Sequence, residues 1–120
     1  MKKLLLFLTV LLSSITGFSN SVQVVADNPP EVHYYQQRTT SASQSIWVDN
    51  DVTFQTQGWL HYNWGSASII ISPSSGGYYE HNINSYSSQY NTQYFFGNAN
   101  ESFTIQCYAS LAVAECIATW

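Results

Sequence analysis

The chain has 120 residues, of which 8% are charged and 16% aromatic, with 3 Lys+Arg against 7 Asp+Glu. That length bounds a single domain, and a formal net charge of −4 leaves no basic footprint for nucleic acid. An apolar share of 45% argues against wholesale disorder.

The N-terminus reads as a secretory signal. Met1-Lys2-Lys3 forms a positive start, residues 4–12 (LLLFLTVLL) an apolar run, and residues 13–17 a polar tail. The apolar run is too short to span a bilayer, and export is the better reading than a buried helix. Two bonds carry small or tolerated residues at −3 and −1: Gly17/Ser19 predicts a cut after Ser19, and Val24/Ala26 a cut after Ala26. The sequence leaves both open. The expected layout is therefore a signal peptide over 1–26, an extended leader over 27–30 (DNPP) and one domain over 31–120. Removing residues 1–26 leaves Arg38 as the only cation against seven acids, with no lysine. Such a protein is expected to be secreted, periplasmic or extracellular, and to have no transmembrane segment once the signal is gone. It is expected to ignore phosphate, nucleic acid and anionic membranes and to favour neutral partners, a glycan or a protein surface.

From Glu31 onward no segment carries a 3.6-residue apolar period. Short β-branched and aromatic runs predict strands near 31–36, 45–49, 51–57, 59–64, 67–72, 77–83, 89–96, 102–109 and 113–119, some of them joined through a bulge. Breaks fall at 39–43, 49–51, 65–66, 73–77, 85–88 and 97–100, where residues that tolerate turn dihedrals or bond their own backbone collect. The fold class is all-β, a single antiparallel sandwich, Ig-like or jelly-roll-like. Alternation is clearest at the end of the chain. Phe103, Ile105, Cys107 and Ala109 form one apolar set and Ala114, Cys116, Ala118 and Trp120 another. Antiparallel pairing of the two runs with Cys107 opposite Cys116 puts both sets on one face, which predicts a hairpin stapled by a Cys107–Cys116 disulfide.

Catalytic chemistry is thin. His33, His61 and His81 lack the spacing of a metal motif. Asp49-Asn50-Asp51 opens like a calcium loop but lacks its continuation, and a tight turn explains it equally well. No nucleophile motif stands among the many serines, so no catalytic residue, metal or cofactor is expected. Asn100-Glu101-Ser102 matches the N-glycosylation acceptor pattern, which matters only in a eukaryotic source. The aromatics are the unusual feature, since all nine Tyr and all four Trp lie beyond residue 26. In 59–64 (WLHYNW) an extended chain places Leu60, Tyr62 and Trp64 on one face and Trp59, His61 and Asn63 on the other. If the first set lines the core, the second projects into solvent, with Tyr78, Tyr79 and Glu80 from a nearby turn completing a ligand site. Rings beside amides and hydroxyls suit neutral sugars. The reading that follows is a non-catalytic binding module for a neutral glycan or cell-surface component. The alternative is a structural, assembly or adhesion subunit, oligomerising through strand edges without protective lysines and through aromatic contacts.

Overall fold

Among the described residues, period-two alternation of buried and outward side chains builds eight strands into two facing antiparallel sheets. The computed structural model describes residues 20–29, 39–84 and 90–120. In chain order the strands are β1 (Ser21–Asp27), β2 (Thr39–Val48), β3 (Val52–Leu60), β4 (Ser66–Pro73), β5 (Tyr79–Ile83), β6 (Asn91–Gly97), β7 (Glu101–Ser110) and β8 (Ala112–Thr119). One sheet, here sheet A, runs β1-β8-β3-β6, and sheet B runs β2-β7-β4-β5. The two-sheet sandwich expected from turn spacing is the fold found.

The central strands show why. In β3, Val52, Phe54, Thr56, Gly58 and Leu60 are buried, and Thr53, Gln55, Gln57 and Trp59 between them face outward. β7 and β8 alternate in the same way. Their inward residues meet as one core, in which the rings of Phe54 and Phe103 lie 5.1 Å apart. Packing there is tight enough to require a glycine: a Cβ on Gly97 would fall 2.4 Å from Phe103 Cζ and 2.7 Å from Val52 Cγ1. A polar side-chain link crosses the core. His81 of β5 reaches from sheet B so that Nδ1 lies 2.8 Å from Thr56 Oγ1 and Nε2 lies 3.2 Å from Asn91 Oδ1, both in sheet A. Burial lowers the His81 pKa below its ordinary 6.5, outweighing the bond to Asn91, so the ring serves as a neutral connector.

Connections depart most from the sequence reading. Among the described strands, only β4 and β5 pair as a hairpin of consecutive strands; the other chain-adjacent ones lie in opposite sheets. The step from β7 to β8 passes through a single residue, Leu111, whose φ of 53° turns the chain from sheet B into sheet A. Cys107 therefore pairs with Ala42 and Ile69, and Cys116 with Val24 and Thr56. The expected hairpin stapled by a Cys107–Cys116 disulfide is corrected. The cysteines stand on facing sheets as buried free thiols, each pushed up to about 12, chiefly by desolvation.

Three further differences follow from pairing. Residues 39–43, expected as a break, belong to β2, because central β7 offers a partner along its whole length, Thr39 opposite Ser110 and Val48 opposite Glu101. Pairing overrides the weak intrinsic preference of Thr-Thr-Ser-Ala-Ser. The chain leaves the sheet after Leu60, so residues 61–65 form a turn where a strand over 59–64 was expected. Residues 21–27, assigned to the signal and leader, form β1. The strand expected over 31–36, with His33, lies outside the described residues, as do residues 1–19 and 85–88. Among the described residues, no helix is long and apolar enough to cross a membrane.

Candidate functional site

The outer face of sheet A carries three of the exposed rings, Tyr90, Tyr94 and Phe96, in one line, with the half-buried Trp59 beside them. Register fixes its layout. Phe96 stands beside Thr53, which stands beside Thr119; Tyr94 stands beside Gln55 and then Ile117; Thr92 stands beside Gln57 and then Glu115. On β1, Gln23 neighbours Ile117 and Val25 neighbours Glu115. Because Phe54, Thr56 and Phe95 point toward the core side, Tyr94 and Phe96 are forced outward, with 58% and 71% of their surface exposed. They stand about 7 Å apart along β6. Tyr90, just before β6 and 55% exposed, continues this column and lies 6.4 Å from the ring of Trp59 on β3. Tyr90, Tyr94 and Phe96 thus form one column, and Trp59, Gln57 and Gln55 the next.

Glu115 sits in the middle of this face. The side-chain amides of Gln23 and Gln57 donate to its two carboxylate oxygens from either side, the Gln57 bond at 3.0 Å. The carboxylate therefore fixes two amides, each of which carries a further N–H and a carbonyl beyond that bond. Among the described residues no Lys or Arg stands on this face, and no group of three or more His, Cys, Asp and Glu could hold a metal ion. Chemically, the surface offers ring faces to C–H groups and amides to hydroxyls, with the Glu115 carboxylate already engaged and Asp27 at the margin, in the row of Val113 and Trp59.

The residues expected to form a site are divided. Leu60 is buried and Trp59 faces outward, as the alternation in 59–64 required. His61 packs edge-on against Trp59 with centroids 4.6 Å apart, and its Nε2 lies 3.8 Å from Asp27 Oδ1. Asn63 is exposed in the turn beside them. Tyr62 and Trp64 do not line the core; they stack parallel in the same turn, 4.8 Å apart, where no strand holds them inward. Tyr78, Tyr79 and Glu80 are not brought to this cluster. Tyr79 pairs with Ile71, four residues along β4 from Ala67 at the end nearer the turn, about 13 Å away at strand spacing. Its ring stacks on Phe95 at 5.2 Å and its hydroxyl donates to the Phe96 carbonyl at 3.4 Å, so it closes the gap between β5 and β6. Glu80 sits opposite Ile70 in mid-strand, on the outer side of sheet B. Of the six, Trp59 alone belongs to the sheet A face itself.

Tyr90, Tyr94, Phe96, Gln23, Gln55, Gln57 and Glu115 are the residues that sequence reasoning missed. The spacing Tyr90-x-Thr92-x-Tyr94-x-Phe96 was a readable period-two signal. That β6, β3, β8 and β1 lie side by side was not, since their order in the sheet bears no relation to their order in the chain. The aspartates of Asp49-Asn50-Asp51 cap turns: Asp49 Oδ1 accepts from Trp47 Nε1 at 2.9 Å, and Asp51 Oδ1 from the Ala99 N–H at 3.0 Å.

No protein-family model matches the chain, and no curated protein matches it in sequence. Among solved structures it is similar to the CBM35 of Cellvibrio japonicus Abf62, with a TM-score of 0.47 and 8% identity over 84% of this chain and 93% of the other. It is also similar to the GH26-CBM35 beta-(1,4)-mannanase of Podospora anserina, with a TM-score of 0.44 and 9% identity over 85% of this chain and 27% of that one. A third is the CBM36-1 domain of a multidomain xylanase from the hindgut metagenome of Trinervitermes trinervoides, with a TM-score of 0.40 and 9% identity over 84% and 97%. At these scores no residue role is carried over from them.

Proposed function

We propose that the protein is a secreted, non-catalytic binding module whose outer sheet A face takes a neutral glycan. The observation that carries this reading is the alignment of Tyr90, Tyr94 and Phe96 beside Trp59, Gln55 and Gln57 on a face without a cation among the described residues. Sugar C–H faces stack on exposed rings, and the glutamine amides supply both donors and acceptors to hydroxyls. Phosphorylated and nucleic-acid ligands find no counter-charge there and meet Glu115. The rigid sheet holds the rings in place before the ligand arrives, which limits the ordering cost of binding. His61 and Asn63, beside Trp59 at the end of β3, extend the same surface for a longer chain.

A panel of neutral oligosaccharides and polysaccharides tests the proposal, with the wild-type protein compared to a Tyr94→Ala/Phe96→Ala variant. The expected result is retention by at least one neutral glycan, abolished in the variant, with an unchanged far-UV spectrum. Failure to bind any neutral glycan, or binding that the double substitution leaves intact, overturns it.

A further inference from the structure

We infer that the export signal is removed after Ser19, so that the mature protein begins at Asn20. This rests on reading the N-terminus as a secretory signal, and it is independent of what the sheet A face binds. Sequence alone left two bonds open, after Ser19 and after Ala26. The structure treats them very differently. The bond after Ala26 lies inside β1, which pairs with β8 in unbroken register from Ser21 opposite Thr119 to Asp27 opposite Val113. Val24 and Ala26 are buried in the core. The Cys107 thiol of the facing sheet donates to the Val24 carbonyl at 3.5 Å. The pairing runs on to the first described residue, where the Trp120 N–H donates to the Asn20 carbonyl at 2.9 Å.

Cleavage after Ala26 would remove residues 20–26 and with them nearly all of β1. The outer edge of β8 would lose its hydrogen-bonding partner, Ala114, Cys116 and Ala118 would be uncovered on that side, and Gln23 would no longer hold Glu115. Cleavage after Ser19 leaves every one of these contacts in place, and the new terminus falls one residue ahead of the strand. Distance from the apolar run points the same way. Ser19 follows Leu12 by seven residues and Ala26 by fourteen, which in extended chain is about 23 Å against about 46 Å. A peptidase working at the membrane surface meets the nearer bond first.

The test is N-terminal sequencing and intact mass of the full chain, with its own N-terminus, exported by a bacterial host. A start at Asn20 (Asn-Ser-Val-Gln) is expected. A start at Asp27 overturns the position while leaving the signal reading standing, and an exported chain still carrying Met1 overturns the signal reading itself. A second measurement compares chains made directly from Asn20 and from Asp27 without a signal. The longer chain is expected to melt cooperatively, and the shorter to melt at markedly lower temperature or to show no transition. Equal melting temperatures would also overturn the inference, since β1 would then be dispensable.

Discussion

The two outer faces of the sandwich share one core and one alternation rule, yet they are surfaced in opposite ways. Sheet B presents Ser41, Ser43 and Ser45 on β2, Ser102, Thr104 and Gln106 on β7, and Ser66, Ser68 and Ser72 on β4, with Ser45 and Thr104 hydroxyls 3.2 Å apart. Its rings are few, with Trp47 and Tyr78 at the margins and Tyr108 in mid-strand. Sheet A presents Tyr90, Tyr94, Phe96 and Trp59 with glutamines between them. Sheet B is covered mainly by short hydroxyls, with its rings scattered singly, whereas the rings of sheet A stand in one line. Large rings held in water contribute little to folding, and their alignment on one face is what the proposed binding surface rests on. That contrast carries the functional reading more directly than any single residue does.

The comparison requires that neither face hold the fold together. Phe54, fully buried between the sheets against Phe103, is the control. Phe54→Ala is expected to cost about 3–5 kcal/mol, measured by urea unfolding, whereas Tyr94→Ala should stay within about 1 kcal/mol of wild type. A comparable loss at Tyr94 would make sheet A a structural face and break the contrast. Ligand binding sharpens it next. Removing Tyr94 or Phe96 is expected to weaken glycan binding by about 1–3 kcal/mol per ring, while Ser43→Ala with Ser45→Ala on sheet B leaves titration curves unchanged. Equal losses from both faces would place the ligand elsewhere.

Acid should act on both faces together, through the link between the sheets. With its pKa lowered in the fold, His81 takes up a proton more readily when unfolded. The stability contributed by the neutral ring is thus fully present above 6.5 and declines as pH falls below it. Melting temperatures should drop progressively on acidification from 6.5, and His81→Leu should flatten that part of the profile while lowering stability at neutral pH, since Thr56 and Asn91 lose their partner. A second acid step belongs to the far end of the molecule. The Ser75 hydroxyl and N–H hold the Glu101 carboxyl below its ordinary 4.5, so that contribution is present above 4.5 and is lost as pH falls through the folded value. The smallest expected effect is none at all. Cys107 and Cys116, raised to about 12, should resist alkylation in the native protein at pH 8 and react only on unfolding, as scored by mass spectrometry.

Much of the core is legible in the order of residues alone. Alternation assigns Phe103, Ile105, Cys107, Ala109, Ala114, Cys116 and Ala118 inward, and all are buried. Leu60 in the core with Trp59 opposite is legible for the same reason. The hairpin drawn from that alternation was wrong, because two strands whose apolar sets face each other across a core obey the same rule as two strands side by side. Only Leu111 distinguishes them. Its left-handed turn sends β8 into the opposite sheet, and nothing in a leucine announces a positive φ. The grouping expected for the site divides on similar ground. Trp59 and Tyr79 had plausible roles singly, but pairing of β5 along β4 sets Tyr79 against Phe95 instead.

By itself, then, the sequence determined the class, an all-β sandwich of short alternating strands, and which side of most strands meets the core. Its composition also determined a nearly uncharged, ring-rich surface. Tertiary structure alone decided which strands are neighbours, that β1 completes sheet A, and that Tyr94 and Phe96 of edge strand β6, with Tyr90 just ahead of it, align with the glutamines of β3. The reason is physical. Inward or outward direction is set within one strand by a two-residue period, whereas sheet membership and register are settled by contacts between segments far apart in the chain, which local preference does not encode.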